Sequence, residues 1–253
     1  MVIVLGRTSI AALTLLLVGN AIKIPMFRIP KKIGWLLMFT GALLYFHWWA
    51  FFEAIKLSTV SVALIGFSTF PLFVYIFEIW FMEEPFHIKN LMAIFLALIG
   101  VIVFLVKSLV LVASGFLVGV LSGLLFAVFS VMNKKLVHYI SAISITFYQN
   151  FIAAVAAFIF FLPDFHIPSI STIMLLMLLG VFSTGLAHTL FVFSMNKISA
   201  RTAGVFAMLE PVYGLLLAFI FLNESLKIYQ ILGSCLIIVA GVLLYLFENI
   251  HPE

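Results

Sequence analysis

Apolar runs about twenty residues long recur from one end of this chain to the other, each closed by a few charged or turn-forming residues; LMAIFLALIGVIVFL belongs to one of them. A helix of roughly 17–25 such residues has the length needed to cross a hydrocarbon layer ~30 Å thick. The other structure that spans lipid, a β-barrel, needs short segments of alternating polarity, and continuous runs exclude it. The chain therefore reads as an all-α polytopic membrane protein. Charge content agrees, since 66% of the 253 residues are hydrophobic and only 9% charged, against roughly 25% charged in a soluble domain.

Nine transmembrane helices are predicted, over 2–22, 33–55, 60–81, 89–106, 115–136, 141–162, 171–194, 202–222 and 228–247. Short loops make consecutive helices antiparallel neighbours. On alternating sides, one face then holds Lys23, Arg28, Lys31, Lys32, Lys89, Lys134, Lys135, Lys197 and Arg201, and the other Lys56, Lys107 and Lys227. The excess of basic residues marks the first face as cytoplasmic, which puts the C-terminus there and the N-terminus outside. The net charge of +4 thus belongs to loops beside the bilayer of a cell membrane. It makes no nucleic-acid surface, because the Lys and Arg never form a stripe interleaved with aromatics. Cys235 is the sole cysteine, so no disulfide contributes.

An offset of 140 residues places Phe51 on Phe191, Ala63 on Ala203, Pro71 on Pro211, Phe81 on Phe221, Glu84 on Glu224 and Ile88 on Ile228. The informative part is the pattern of a mid-helix proline, a glutamate thirteen residues later and then a fresh span. Arg7 falls near Gln149 in this register, which leaves the fifth span without a counterpart. The expectation is two repeats, 1–107 with four spans and 113–247 with five, the first lacking its first helix. Units of five helices enter the membrane in opposite senses. Glu84 is then cytoplasmic and Glu224 external, an arrangement recurrent in secondary transporters.

The stretches FAMLEPVYGLLLAFIFLNE and GSCLIIVAGVLL, with GFSTFPLFVYIFEIWFMEE and ALIGVIVFL in the first half, resemble the drug/metabolite transporter superfamily, built from two inverted EamA-type repeats. An arginine like Arg7 also fits. The resemblance covers nearly the whole chain, but its motifs punctuate structure and do not name a cargo. Phe70 stands where the second half has Glu210.

Glu210 with Pro211 is the first candidate. Proline frees a carbonyl and loosens the helix, and a carboxylate beside it either fixes helix packing or meets cargo or a proton. Arg7 either pairs with a carboxylate and lines a cavity, or snorkels to the interface. Glu78 reads as interfacial more than buried. His47 and His188 occupy corresponding spans, suited to a proton-coupled gate or to plain hydrogen bonding. Tyr45 to Phe52 concentrates aromatics, explained by interface anchoring or by a pocket involving Trp48. Asn133, Gln149 and Asn150 read as bonds between helices. Gly115, Gly119 and Gly123 form a packing face, and Glu84 and Glu224 cap loops next to the following helix.

The function expected is a secondary transporter, more in the sense of an exporter, of a small organic metabolite or drug. Its cavity would be lined by His47, Trp48, Tyr75, His188, Glu210 and Tyr213, with Arg7, Glu78, Glu210 and His188 as ion-pairing or proton-coupling groups. The rival is a transport-incompetent fragment, scaffold or subunit needing a partner chain or the missing helix. An enzyme is not expected. No GxxxxGK[ST], GxSxG or HExxH occurs, and Asp164 is the sole aspartate. Expected partners are the lipid bilayer and a small-molecule solute, without cofactor, metal or nucleic acid; self-association into a homodimer stays open.

Overall fold

The computed structural model describes residues 2–108, 112–161, 169–222 and 225–250. Among them lie the α-helices α1 (Val2–Ala21), α2 (Gly34–Leu57), α3 (Val60–Phe67), α4 (Phe70–Met82), α5 (Ile88–Leu105), α6 (Ala113–Leu136), α7 (Ala142–Phe161), α8 (Ile170–Leu178), α9 (Ala187–Ser194), α10 (Ala200–Ala207), α11 (Glu210–Leu222) and α12 (Ile228–Ile250). No strand occurs among the described residues. A 3-10 turn, Lys31–Ile33, leads into α2, and a π-helical segment, Leu179–Leu186, joins α8 to α9.

Among the described residues, eight stretches are long and apolar enough to cross a membrane: Val2–Ala21, Lys31–Leu57, Val60–Met82, Ile88–Leu105, Ala113–Leu136, Ala142–Phe160, Ile170–Ser194 and Ile228–Glu248. The expected span 202–222 is helical as α10 and α11 but is not among these eight. Many outward-facing side chains are large and apolar. Leu17, Trp80, Ile159, Met174 and Ile220 are each more than 60% exposed, while Arg7, Glu78 and Arg201 are buried. Such inverted polarity suits a hydrocarbon surrounding and would be costly in water.

The chain breaks where the sequence suggested a kink, but two residues earlier. Ser68 Oγ donates to the Leu64 carbonyl and Thr69 Oγ1 to that of Gly66, each at 2.7 Å, at the turn between α3 and α4. These hydroxyls bond carbonyls at the helix end, and Pro71 then sits in the first turn of α4, where its missing N–H is no loss. Pro211 takes the same place in α11. The bounds of α3, α4 and the start of α5 recur 140 residues later in α10, α11 and the start of α12. Even the caps correspond: the Thr59 side chain accepts from Val62 N–H at 3.3 Å, and that of Ser199 from Thr202 N–H at 3.2 Å.

The helices gather into two compact units, residues 1–49 with 129–197 and residues 50–128 with 198–253, so each draws on both halves of the sequence. In the first, α1 packs on α7 and on the π-helical segment. A methyl group on Gly180 would lie 2.6 Å from Ile10 Cβ and 3.1 Å from the Arg7 carbonyl oxygen. Ala12, Leu15, Met26 and Phe147 close the core beside it. In the second unit α5 lies along α12, touching through Gly100 and Gly233. The glycines of α6 face neighbouring backbone: Gly115 approaches Ala54, Gly119 approaches Ala63 and Gly66, and Gly123 approaches Phe67. Phe67, Phe70 and Phe126 form an aromatic cluster with ring centroids 4.9–5.4 Å apart.

Candidate functional site

In the first unit, polar side chains from six helical segments meet. Arg7, the one charged residue of α1, is only 6% exposed. Its guanidinium carbon lies 3.7 Å from the centroid of the Trp48 ring, and Nε donates to Thr184 Oγ1 at 2.8 Å. Of the two alternatives for Arg7, the structure takes the interior one. A desolvated guanidinium on an indole is worth about 2 kcal/mol, and the stack fixes Trp48 inside the unit. His47 is buried beside it, with rings 4.8 Å apart.

Thr184 belongs to the π-helical segment, a geometry that widens the helix and recurs at functional sites. Four residues on, in α9, His188 Nδ1 lies 3.4 Å from Asn150 Nδ2. That Asn150 atom also donates to the Thr146 carbonyl at 2.8 Å. A carbonyl only accepts, so the amide orientation is fixed; Nδ1 accepts and the neutral ring carries its proton on Nε2. Phe129 lies against the imidazole at 5.3 Å, and the Arg7 charge acts on it. One turn along α6, Asn133 Oδ1 accepts from Gln149 Nε2 at 2.6 Å.

These bonds leave a remainder. Asn133 Nδ2, Gln149 Oε1, Asn150 Oδ1 and His188 Nε2 are buried and have no hydrogen-bond partner among the described residues. Each unmet buried group costs roughly 1–3 kcal/mol. The sequence assigned Asn133, Gln149 and Asn150 to joining helices, and half of each amide does so. The spare halves are buried donors and acceptors, which no pattern in the sequence signals.

The second unit holds an ionic cluster at the start of α10. Glu78, 1% exposed, accepts through Oε1 from the backbone N–H of Ala200 at 2.8 Å and of Arg201 at 3.2 Å. Its Oε2 accepts from Arg201 Nη1 at 2.8 Å. Glu84 accepts from Nη1 and Nη2 of the same guanidinium at 3.3 Å. Glu248 takes the N–H of Ser199 at 2.6 Å and its hydroxyl at 3.2 Å. Three expectations are corrected here. Glu78 is buried, not interfacial; Arg201 is a helix residue held by carboxylates, not a loop cation; and Glu84 binds Arg201 instead of capping α5, whose N-cap is His87. The physical reason is common to all three, because a buried helix N-terminus and a buried cation both demand negative partners.

Tyr75 belongs to this second unit and is 1% exposed. Its hydroxyl donates to the His87 carbonyl at 2.9 Å and accepts from the His87 N–H at 2.6 Å, which ties α4 to the start of α5. Glu210 is exposed and opens α11, where the positive end of the helix favours a carboxylate. Tyr213 is 58% exposed. Glu224 lies outside the described residues. Among the described residues no three of His, Cys, Asp and Glu come together as a metal site requires.

Residues 1–106 and 113–247 match the EamA-like transporter family. An uncharacterized transporter of Archaeoglobus fulgidus is 28% identical over 195 residues, which is 77% of this chain and 70% of that protein. An S-adenosylmethionine uptake transporter of Rickettsia bellii is 24% identical over 209 residues, 83% of this chain and 72% of its own length. A solved crystal structure shares the fold, with a TM-score of 0.82 and 17% identity over 100% of this chain and 89% of that one. With eight stretches among its described residues long and apolar enough to cross a membrane, the chain belongs to the EamA-like transporter family and is a multi-pass membrane transporter.

Proposed function

We propose that this protein is a secondary transporter that carries a small organic solute across the cytoplasmic membrane, and that the solute binds in the first unit beside Arg7, Trp48 and His188. The observation that carries the reading is the set of four buried polar atoms left without partners there. Arg7 and the His188 Nε2–H suit an anionic or accepting group, while Gln149 Oε1 and Asn150 Oδ1 suit a donor such as an amine. An amphoteric solute offers both. S-adenosylmethionine, in the name of the Rickettsia bellii relative, is one such molecule and a reasonable first trial. The movement is alternating access between two inverted repeats, with α10 and α11 together making a ninth crossing and the C-terminus in the cytoplasm. Export is the direction expected from the sequence, whereas that relative's name says uptake, so both directions are measured.

The test is solute flux in liposomes containing the purified chain, with amino acids, nucleosides and S-adenosylmethionine on either side. Arg7→Ala and His188→Ala should each lower the initial rate about tenfold or more, the loss of one charge-assisted hydrogen bond at ~1.5–3 kcal/mol, with helix content unchanged. Arg7→Lys should rescue poorly, because an ammonium does not stack as a planar guanidinium does. Glu210→Gln should remove only the part of the flux driven by a pH gradient. Wild-type rates in the Arg7 and His188 variants would dismiss this site. No flux from the wild-type chain for any solute would favour the rival reading of a subunit that needs a partner.

A further inference from the structure

We propose that a basic pocket at one end of the first unit binds the phosphate headgroup of an anionic phospholipid. Lys32 and Ile33 in the 3-10 turn before α2, Trp35 and Leu36 in its first turn, Lys135 in the last turn of α6, and His138 and Tyr139 just beyond it line an open cavity of about 260 Å³. Lys32 Nζ sits 4.3 Å over the ring of Tyr139, which also lines the cavity. The neighbouring Lys134 is not part of the pocket and donates to the Met195 carbonyl at 2.8 Å. No carboxylate lines the cavity. Within the first unit eight Lys and Arg face a single acidic residue in the sequence, Asp164, whereas the second unit has five basic and eight acidic residues. A cluster of two ammonium groups and an imidazole in so basic a unit is built for an anion.

The surroundings select a lipid over a water-borne phosphate. Trp35 is 66% exposed and Tyr139 47% exposed, and both stand at the ends of spanning helices, where aromatic residues mark the boundary of headgroups and acyl chains. Lysine stems reach along apolar surface from that depth and leave the ammonium among phosphates. Basic pockets between spanning helices take anionic headgroups for the same reason. The α2 N-terminus, entered through Lys31–Ile33, adds its partial positive charge.

The full chain in neutral detergent is titrated with dioctanoylphosphatidylglycerol, dioctanoylphosphatidylcholine or inorganic phosphate, reading melting temperature and bound lipid by native mass spectrometry. The glycerol lipid should bind more tightly than the choline lipid. Its affinity should fall about fivefold for each lysine removed and about 25-fold in Lys32→Gln with Lys135→Gln, and Lys32→Arg should keep it. Equal binding of the two lipids, or wild-type binding by the double variant, overturns the proposal. Displacement of the glycerol lipid by millimolar inorganic phosphate assigns the pocket to a soluble anion and overturns the lipid. Should the double variant unfold, His138→Ala and a salt titration of the wild type take its place, and affinity indifferent to both refutes the site.

Discussion

Arg201 holds together a helix start that would otherwise carry bare charge. Its guanidinium and the backbone of Ala200 and Arg201 use both oxygens of Glu78, and Glu84 completes the set. Removing one partner of a buried pair strands the other, at about 3–5 kcal/mol, whereas replacing both by apolar side chains is often neutral. Arg201→Ala should therefore lower the melting temperature far more than Arg201→Met combined with Glu78→Gln, whose amide oxygen still accepts from the Ala200 and Arg201 N–H groups, by thermal unfolding in detergent. Equal losses would show that the pair contributes nothing as a pair. Lys56 and Glu53, an exposed pair 3.0 Å apart, form the control, since such surface contacts are worth ~0–1 kcal/mol. The sequence placed a carboxylate at position 78 and a cation at 201 but gave no sign that they meet. Their separation of 123 residues leaves only tertiary structure to bring them together.

Among the elements, close packing of α3 on α6 depends on glycine in a way that can be measured. A methyl group on Gly66 would lie 2.6 Å from the Phe116 carbonyl oxygen and about as near the Gly119 backbone, so one helix must move. Gly66→Ala should cost about 1–3 kcal/mol. Gly214 in α11 has nothing within 4 Å of the same added group, and there alanine should be neutral or stabilising by up to ~1 kcal/mol. If thermal unfolding ranks the two variants alike, the close approach is wrong. Elements were the most legible level in the sequence. The eight spanning stretches end within two residues of the runs read from it, because hydrocarbon thickness sets those ends. The π-helical turn was not legible, since its side chains suit an ordinary helix and only packing against α1 asks for the wider form. Of the residues that the sequence grouped around one cavity, His47, Trp48 and His188 fall in the first unit with Arg7, and Tyr75, Glu210 and Tyr213 in the second, a division that no spacing in the sequence shows. Burial of a polar atom and the lack of a partner are properties of the fold.

For the whole molecule, the open question is how the halves are threaded. If the repeats are inverted about the 140-residue offset, the loop after α4 and the loop after α11 would lie on opposite sides of the membrane. Pro85 and Ser225 are exposed in those loops. In a Cys235→Ser background, Pro85→Cys should react with a membrane-impermeant maleimide only after permeabilisation of the cell, and Ser225→Cys before it. Labelling of both from one side would end the inverted arrangement and the carrier mechanism built on it. Another consequence follows from the guanidinium of Arg7 inside α1. A fixed charge within the bilayer feels the voltage across it, at about 2.3 kcal/mol for each elementary charge moved through a full 100 mV drop. A displacement of α1 that carried this charge along the membrane normal would then be electrical work, set by the share of the voltage drop that it crosses.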